Sequence, residues 1–159
     1  MAIEIVCCTT CLISWLRELE NGNVVVLLCS DVKGAFDRVS KNILLDRLGK
    51  LEIPRNLWSL IESWLDDRAF QVVTEGSYSS TKVLRDSAYQ GTVLGPPLWN
   101  QHFKSSRHAI NEAGFTESVY ADDENAFKSF SRDTSTDVLN AQLILCQGNL
   151  HSWGLGNQV

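Results

Sequence analysis

The apolar positions of this chain fall into alternating helical and strand-like blocks. Over residues 3–21, Ile5, Cys8, Leu12, Trp15 or Leu16, and Leu19 recur at three- and four-residue spacing, which predicts one amphipathic helix stopped by Asn21-Gly22-Asn23. The run Val24-Val25-Val26-Leu27-Leu28-Cys29 is short, β-branched and without alternation, the pattern of a central strand covered on both faces. Ser40 is placed to cap a helix through about Leu51 that buries Ile43, Leu44, Leu48 and, at its end, Leu51. Pro54 opens another, with Leu57, Leu60, Ile61, Trp64 and Leu65 on its apolar side. Residues 68–75 and 80–85 read as paired strands turning near Gly76-Ser77. Pro96-Pro97 begins a helix through about Glu112. Residues 115–121 and 125–130 read as a hairpin turning at Asp122-Asp123, and residues 135–153 as a last helix with Leu139, Leu143, Cys146, Leu150 and Trp153 on one face. This order predicts an α/β chain, an α+β plait: a mixed or antiparallel sheet with helices packed on one side.

With 159 residues and 44% apolar content, the chain has the length and composition of one domain with a real core. There is no repeat, low-complexity tract or linker. The five cysteines do not make a disulfide pattern. Cys8-x-x-Cys11 lacks a second ligand pair at zinc-site spacing, so buried free thiols are expected, Cys29 and Cys146 among them. No signal peptide or membrane-length apolar run is visible, which predicts a soluble intracellular protein without distinguishing nucleus from cytoplasm. A Walker A loop, a serine triad and a dinucleotide fingerprint are all missing. His102, His108 and His151 form no metal triad and read as surface or helix-packing residues. Trp58, Trp64, Trp99 and Trp153 read as core anchors.

The candidate chemistry lies in three places. Asp31 ends the first apolar run and opens Asp31-Val32-Lys33-Gly34-Ala35-Phe36-Asp37. Tyr120-Ala121-Asp122-Asp123 ends a second strand. Between them lies Gln90-Gly91-Thr92-Val93-Leu94-Gly95-Pro96-Pro97-Leu98-Trp99-Asn100. Carboxylates delivered by different strands to one sheet edge are able to hold two divalent cations, as nucleotidyl transfer requires. Taken alone, Asp31 would also serve as a helix cap or surface turn acid.

Together these motifs resemble the palm of reverse transcriptases, specifically those of non-LTR (LINE-type) retrotransposons. The resemblance covers about residues 12–159, including Tyr120 through Lys128 and Asn149-Leu150-His151-Ser152-Trp153-Gly154. It implies an RNA-directed DNA polymerase that transfers deoxynucleotides to a primer 3′-hydroxyl. Asp31, Asp122 and Asp123 would be catalytic and would hold Mg2+, or Mn2+ in its place, with the Val32 carbonyl completing a metal shell. Phe36 would stack under the incoming sugar and exclude a ribose hydroxyl. Gln90 and Gly91 would contact the incoming nucleotide and the template base. The implied partners are an RNA template, a DNA primer and deoxynucleoside triphosphates, with no membrane.

The sequence also departs from the family pattern. Glu124 stands where an apolar residue usually follows the paired aspartates. Ser87-Ala88-Tyr89 precedes Gln90 where Gly-x-Pro, or a more apolar segment, is common. No lysine follows Lys128, so the leaving-group lysine element is missing, and fingers and thumb are largely missing too. Residues 1–159 are therefore expected to be a partial reverse transcriptase domain. The net charge of −5 and pI near 5.1 add that this chain alone binds nucleic acid weakly or not at all and is inactive by itself. The alternative is a noncatalytic, palm-derived interaction module or a truncated retroelement product without a function.

Overall fold

The computed structural model describes residues 9–159. In chain order the elements are α1 (Thr9–Glu20), β1 (Val24–Asp31), a 3-10 turn (Phe36–Arg38), α2 (Lys41–Gly49), α3 (Arg55–Leu65), β2 (Arg68–Phe70), β3 (Val73–Thr74), β4 (Ser77–Tyr78), β5 (Lys82–Leu84), α4 (Gly95–Phe103), α5 (Ser106–Glu112), β6 (Thr116–Tyr120), β7 (Asp123–Phe130) and α6 (Thr136–Asn157). They divide into two compact units. One comprises residues 9–33 and Ser105–Gly156; the other comprises Gly34–Lys104 and Asn157–Val159.

The first unit is built on an antiparallel sheet in the order β1-β7-β6. The β1–β7 ladder runs from Val24 opposite Phe130 to Asp31 opposite Asp123. Because successive side chains leave a strand on opposite faces, this register sorts the residues into two sets. Val26, Leu28 and Ala126 meet Ile110, Ala113 and Phe115 from α5 and its exit, and Leu143 and Cys146 from α6. Full burial of side chains such as Ile110 and Phe115 contributes about 1.5–3 kcal/mol each. Phe127 leaves the sheet on the other face, where Trp15 of α1 meets it edge-on with ring centroids 5.5 Å apart.

Two expectations change here. Helices lie on both faces of this sheet rather than one, because β7 is apolar on both: Ala126 on one side, Phe127 on the other. Among the described residues, β1 is an edge strand and only half-buried, while β7 is central. An unbroken apolar run reports burial, and it does not report position in the sheet. The predicted helix 3–21 is seen from Thr9 to Glu20; its first residues, with Cys7 and Cys8, lie outside the described residues. Asn21-Gly22-Asn23 closes it as expected, with the Asn23 amide donating to the Glu18 carbonyl at 2.9 Å.

In the second unit α2 packs against α3 and α4. Leu44 and Leu48 are buried as predicted, with Ile61, Leu65, Leu98, Trp99 and Phe103, while Leu57 and Leu60 are exposed. Trp99 stacks on Phe103 at 4.8 Å. Ser40 precedes α2 but makes no side-chain cap. The carboxylate of Asp86 does so instead, accepting from the Lys41 amide at 3.2 Å. The expected strand pair forms with its turn at Glu75-Gly76, but as two short ladders, β2 with β5 and, nearer the turn, β3 with β4. The helix expected over 96–112 is interrupted after Phe103 and resumes at Ser106.

Candidate active site

The last rung of the β1–β7 ladder sets Asp31 directly opposite Asp123. Directly opposite residues share a face, so both carboxylates leave the sheet on the same side. The β6–β7 hairpin closes one residue earlier than expected: Tyr120 pairs with Asp123, leaving Ala121 and Asp122 as the connecting residues. Ala121 takes φ +55°, a left-handed conformation that disfavours a side chain and is found disproportionately at functional turns. The Asp122 carbonyl accepts from the Val32 amide at 3.4 Å, joining the hairpin turn to the residue after β1. Asp31, Val32, Asp122 and Asp123 thus meet at one end of one sheet.

These groups are hard oxygen donors, suited to magnesium or manganese rather than to a thiol-seeking metal. Among the described residues, no three His, Cys, Asp or Glu side chains gather into a closed ligand cluster. The donor chemistry fits a cation held by one or two carboxylates whose coordination a substrate phosphate completes.

The neighbours of this rung differ by face. Cys29 lies two residues before Asp31 on the same face and is exposed, contrary to the expectation of a buried thiol. Partial burial, and then the Asp123 carboxylate, push its pKa up. Glu124 points the other way, into the helical layer, and is 2% exposed. Burial raises its pKa to about 7, against a hydrogen bond from Ser106 that opposes the shift; Glu117 adds to it. One of its carboxyl oxygens, Oε1, is buried without a hydrogen-bond partner. Further along β7, Lys128 donates to the Ala113 carbonyl at 3.2 Å and to Gln142 Oε1 at 2.7 Å. Its ammonium is thereby committed to the fold.

Phe36, Gln90 and Gly91 belong to the second unit. Phe36 opens the 3-10 turn, half-buried, its ring 5.6 Å from that of Trp99. The Phe36 carbonyl accepts from the Ala88 amide at 2.8 Å, which ties it to the segment leading into Gln90. Gln90 and Gly91 are exposed on a turn, and Gly91 takes φ +82°, where glycine is at home. The turn closes on Tyr89, whose carbonyl accepts from the Thr92 hydroxyl at 2.7 Å. That hydroxyl accepts in turn from the Gly95 amide at 3.1 Å, capping α4. A Cβ on Gly95 would stand 2.7 Å from the Tyr89 oxygen and 2.9 Å from that of Ala88, so only glycine fits.

Among the basic residues of this unit's first segments, Arg38 is exposed, while Lys41 is paired with Asp66. His102 is fully buried, and burial followed by the Arg47 guanidinium lowers its pKa to about 4, so its ring is neutral. The sequence reading missed Trp64 and Arg68 as partners of Tyr89; an aromatic and an arginine four residues apart, at the end of a helix, were the available signal. No described helix is long and apolar enough to cross a membrane.

Residues 8–156 match the family described as reverse transcriptase (RNA-dependent DNA polymerase). The chain is 31% identical over 147 residues to the RNA-directed DNA polymerase from mobile element jockey of Drosophila melanogaster, covering 88% of this chain and 16% of that protein. The jockey counterpart of Drosophila funebris is 32% identical over 146 residues, with the same coverage. A probable RNA-directed DNA polymerase from transposon BS of Drosophila melanogaster is 40% identical over 70 residues, 44% of this chain and 8% of that protein. The chain spans about one sixth of the length of the jockey relatives. It belongs to the reverse transcriptases, the RNA-dependent DNA polymerases, and within them to those of non-LTR retrotransposons.

Proposed function

We propose that this chain is palm sequence of an RNA-directed DNA polymerase and carries its catalytic aspartates. The observation that carries the reading is the rung on which Asp31 faces Asp123, with Asp122 bonded through its carbonyl to Val32. Asp31, Asp122, Asp123 and the Val32 carbonyl would hold Mg2+, with Mn2+ as a substitute. Bound there, the cations supply a lowered pKa for the primer 3′-hydroxyl and charge compensation for the triphosphate. The chain's own part is to present the Asp31 and Asp123 carboxylates from paired backbone, with Asp122 on the turn beside them. Phe36 is assigned to the sugar of a deoxynucleotide, and Gln90 and Gly91 to the nucleotide and template base. RNA template, DNA primer and deoxynucleoside triphosphates are the proposed partners. With a net charge of −5, this chain alone holds a primer–template weakly.

Calorimetric titration of the folded chain with magnesium and with manganese tests the site. Weak binding that falls in D31N and in D122N is expected. Equal binding by all three proteins would overturn the assignment.

One observation favours a second reading, a noncatalytic interaction module. Glu124 buries a carboxyl beside Asp123, an expense to stability that metal chemistry does not call for. Primer–template binding separates the two: a module of this kind needs a stable protein partner and no nucleic acid.

A further inference from the structure

Tyr89 stands immediately before the Gln90–Gly91 turn, at the position a proline would take in a Gly-x-Pro segment. Proline fixes φ near −65°. Tyr89 instead takes φ +48°, a left-handed conformation that bulky residues rarely adopt. This turn therefore cannot be held by a pyrrolidine ring, and the strained backbone needs another restraint.

The restraint is visible. The Arg68 guanidinium lies 5.1 Å from the Tyr89 ring centre and 5.3 Å from that of Trp64. The two rings meet edge-to-face at 4.8 Å. Arg68 Nε donates to the Trp64 carbonyl at 3.0 Å, which fixes the arginine to the end of α3. A cation over an aromatic face is attracted by the ring quadrupole, and here one guanidinium serves two rings. On the backbone side, the Tyr89 amide donates to Ser87 Oγ at 3.0 Å, and the Tyr89 carbonyl accepts from Thr92. Tyr89 thus joins the ring contacts to the hydrogen bonds of the turn.

We propose that Trp64, Arg68 and Tyr89 form an aromatic–guanidinium lock that positions the Gln90–Gly91 turn. Arg68 is a positioning residue and touches no substrate. The lock deepens the functional reading above, and rests on it only for the claim that this turn meets a nucleotide.

Hydrogen exchange on the full chain tests the lock without requiring catalysis. The Gly95 amide, bonded to Thr92, reports the turn; the Lys104 amide, bonded to Asn100, reports α4 as a whole. R68M should accelerate exchange at Gly95 about tenfold and leave Lys104 unchanged, as local opening does. R68K, which keeps a cation over the rings, should recover part of the protection, and Y89F all of it. Y89L should match R68M, and the double variant R68M/Y89L should be no worse than either, because both remove one interaction. Equal acceleration at both amides, no change at Gly95, or additive effects would each overturn the lock. If R68M fails to fold, Y89L and R68K decide the question alone. Titration with dATP and magnesium, read at the Gln90 and Gly91 amides, should show weaker binding in R68M. Equal binding in R68M and the unaltered chain overturns positioning of a nucleotide-facing turn. No response in either counts against the functional reading, while the exchange result still decides the lock.

Discussion

Asp31 and Asp123 face each other across the final rung of an antiparallel ladder, with their side chains on one face of the sheet. Like charges in directly opposed positions destabilise a strand pair. A sheet selected for stability alone would not keep this pair. D123N should therefore raise the melting temperature of the metal-free chain while removing any stabilisation by magnesium. A D123N protein that melts below the unaltered one, in chelator, would contradict the arrangement.

Glu124 makes the fold pH-dependent on the neighbouring strand position. Its folded pKa is about 7, against an ordinary value of 4.5. Between those values the folded chain holds a proton that the unfolded chain has lost, so stability declines as pH rises. The contribution is fully present below about 4.5 and gone above about 7. The difference corresponds to about 3 kcal/mol. E124Q should flatten the decline between pH 5 and 7 in urea titrations. A profile as steep as that of the unaltered chain would place the titrating group elsewhere.

Cys29 offers a reporter on the aspartates' own face. Its thiol is held above its ordinary pKa by partial burial and then by Asp123. Since the thiolate is the reactive form, D123N should speed alkylation of Cys29 at pH 8, followed peptide by peptide in a mass spectrometer. Cys146, fully buried on the inner face of α6, should stay unreactive in both proteins. An unchanged Cys29 rate would mean that the Asp123 carboxylate does not reach it.

The sequence made some of this legible and hid the rest for identifiable reasons. Asp31 and the Asp122-Asp123 turn could be found because each ends an apolar run, and pairing the runs brings their ends together. The face of α6 was equally clear, since Leu139, Leu143, Cys146 and Leu150 keep helical spacing over about three turns. The edge position of β1 was not, because Val24 to Cys29 are apolar whichever neighbours they have. The break between α4 and α5 was invisible for a related reason: Lys104 and Ser105 are compatible with helix, so tertiary packing decides. The cap on α2 was misassigned to Ser40 because propensity is local, whereas Asp86 arrives from 45 residues away. Trp64 was legible as a core anchor, but its meeting with Tyr89 around Arg68 was not, because Tyr89 is remote in sequence and a cation between two rings leaves no periodic mark.

Gly95 supplies the sharpest steric test of the turn. Its α-carbon lies so close to the chain that an added methyl would stand 2.7 Å from the Tyr89 oxygen and 2.9 Å from the Ala88 oxygen. Both obstacles are backbone, so neither swings aside as a side-chain end would. The Tyr89 oxygen also accepts from Thr92, whose hydroxyl accepts from Gly95 itself. Relieving the clash in G95A must therefore shift residues 88–92 or open the cap on α4. Overpacking of this kind typically costs about 1–3 kcal/mol. G95A should lower the denaturation midpoint accordingly, and its amide shifts should change most at Gln90, Gly91 and Thr92. Pro96 and Pro97, exposed at the start of α4, provide the contrast: P97A should leave those shifts in place. A G95A protein as stable as the unaltered chain, with the turn unmoved, would mean that the close approach of Gly95 to Tyr89 does not hold in solution.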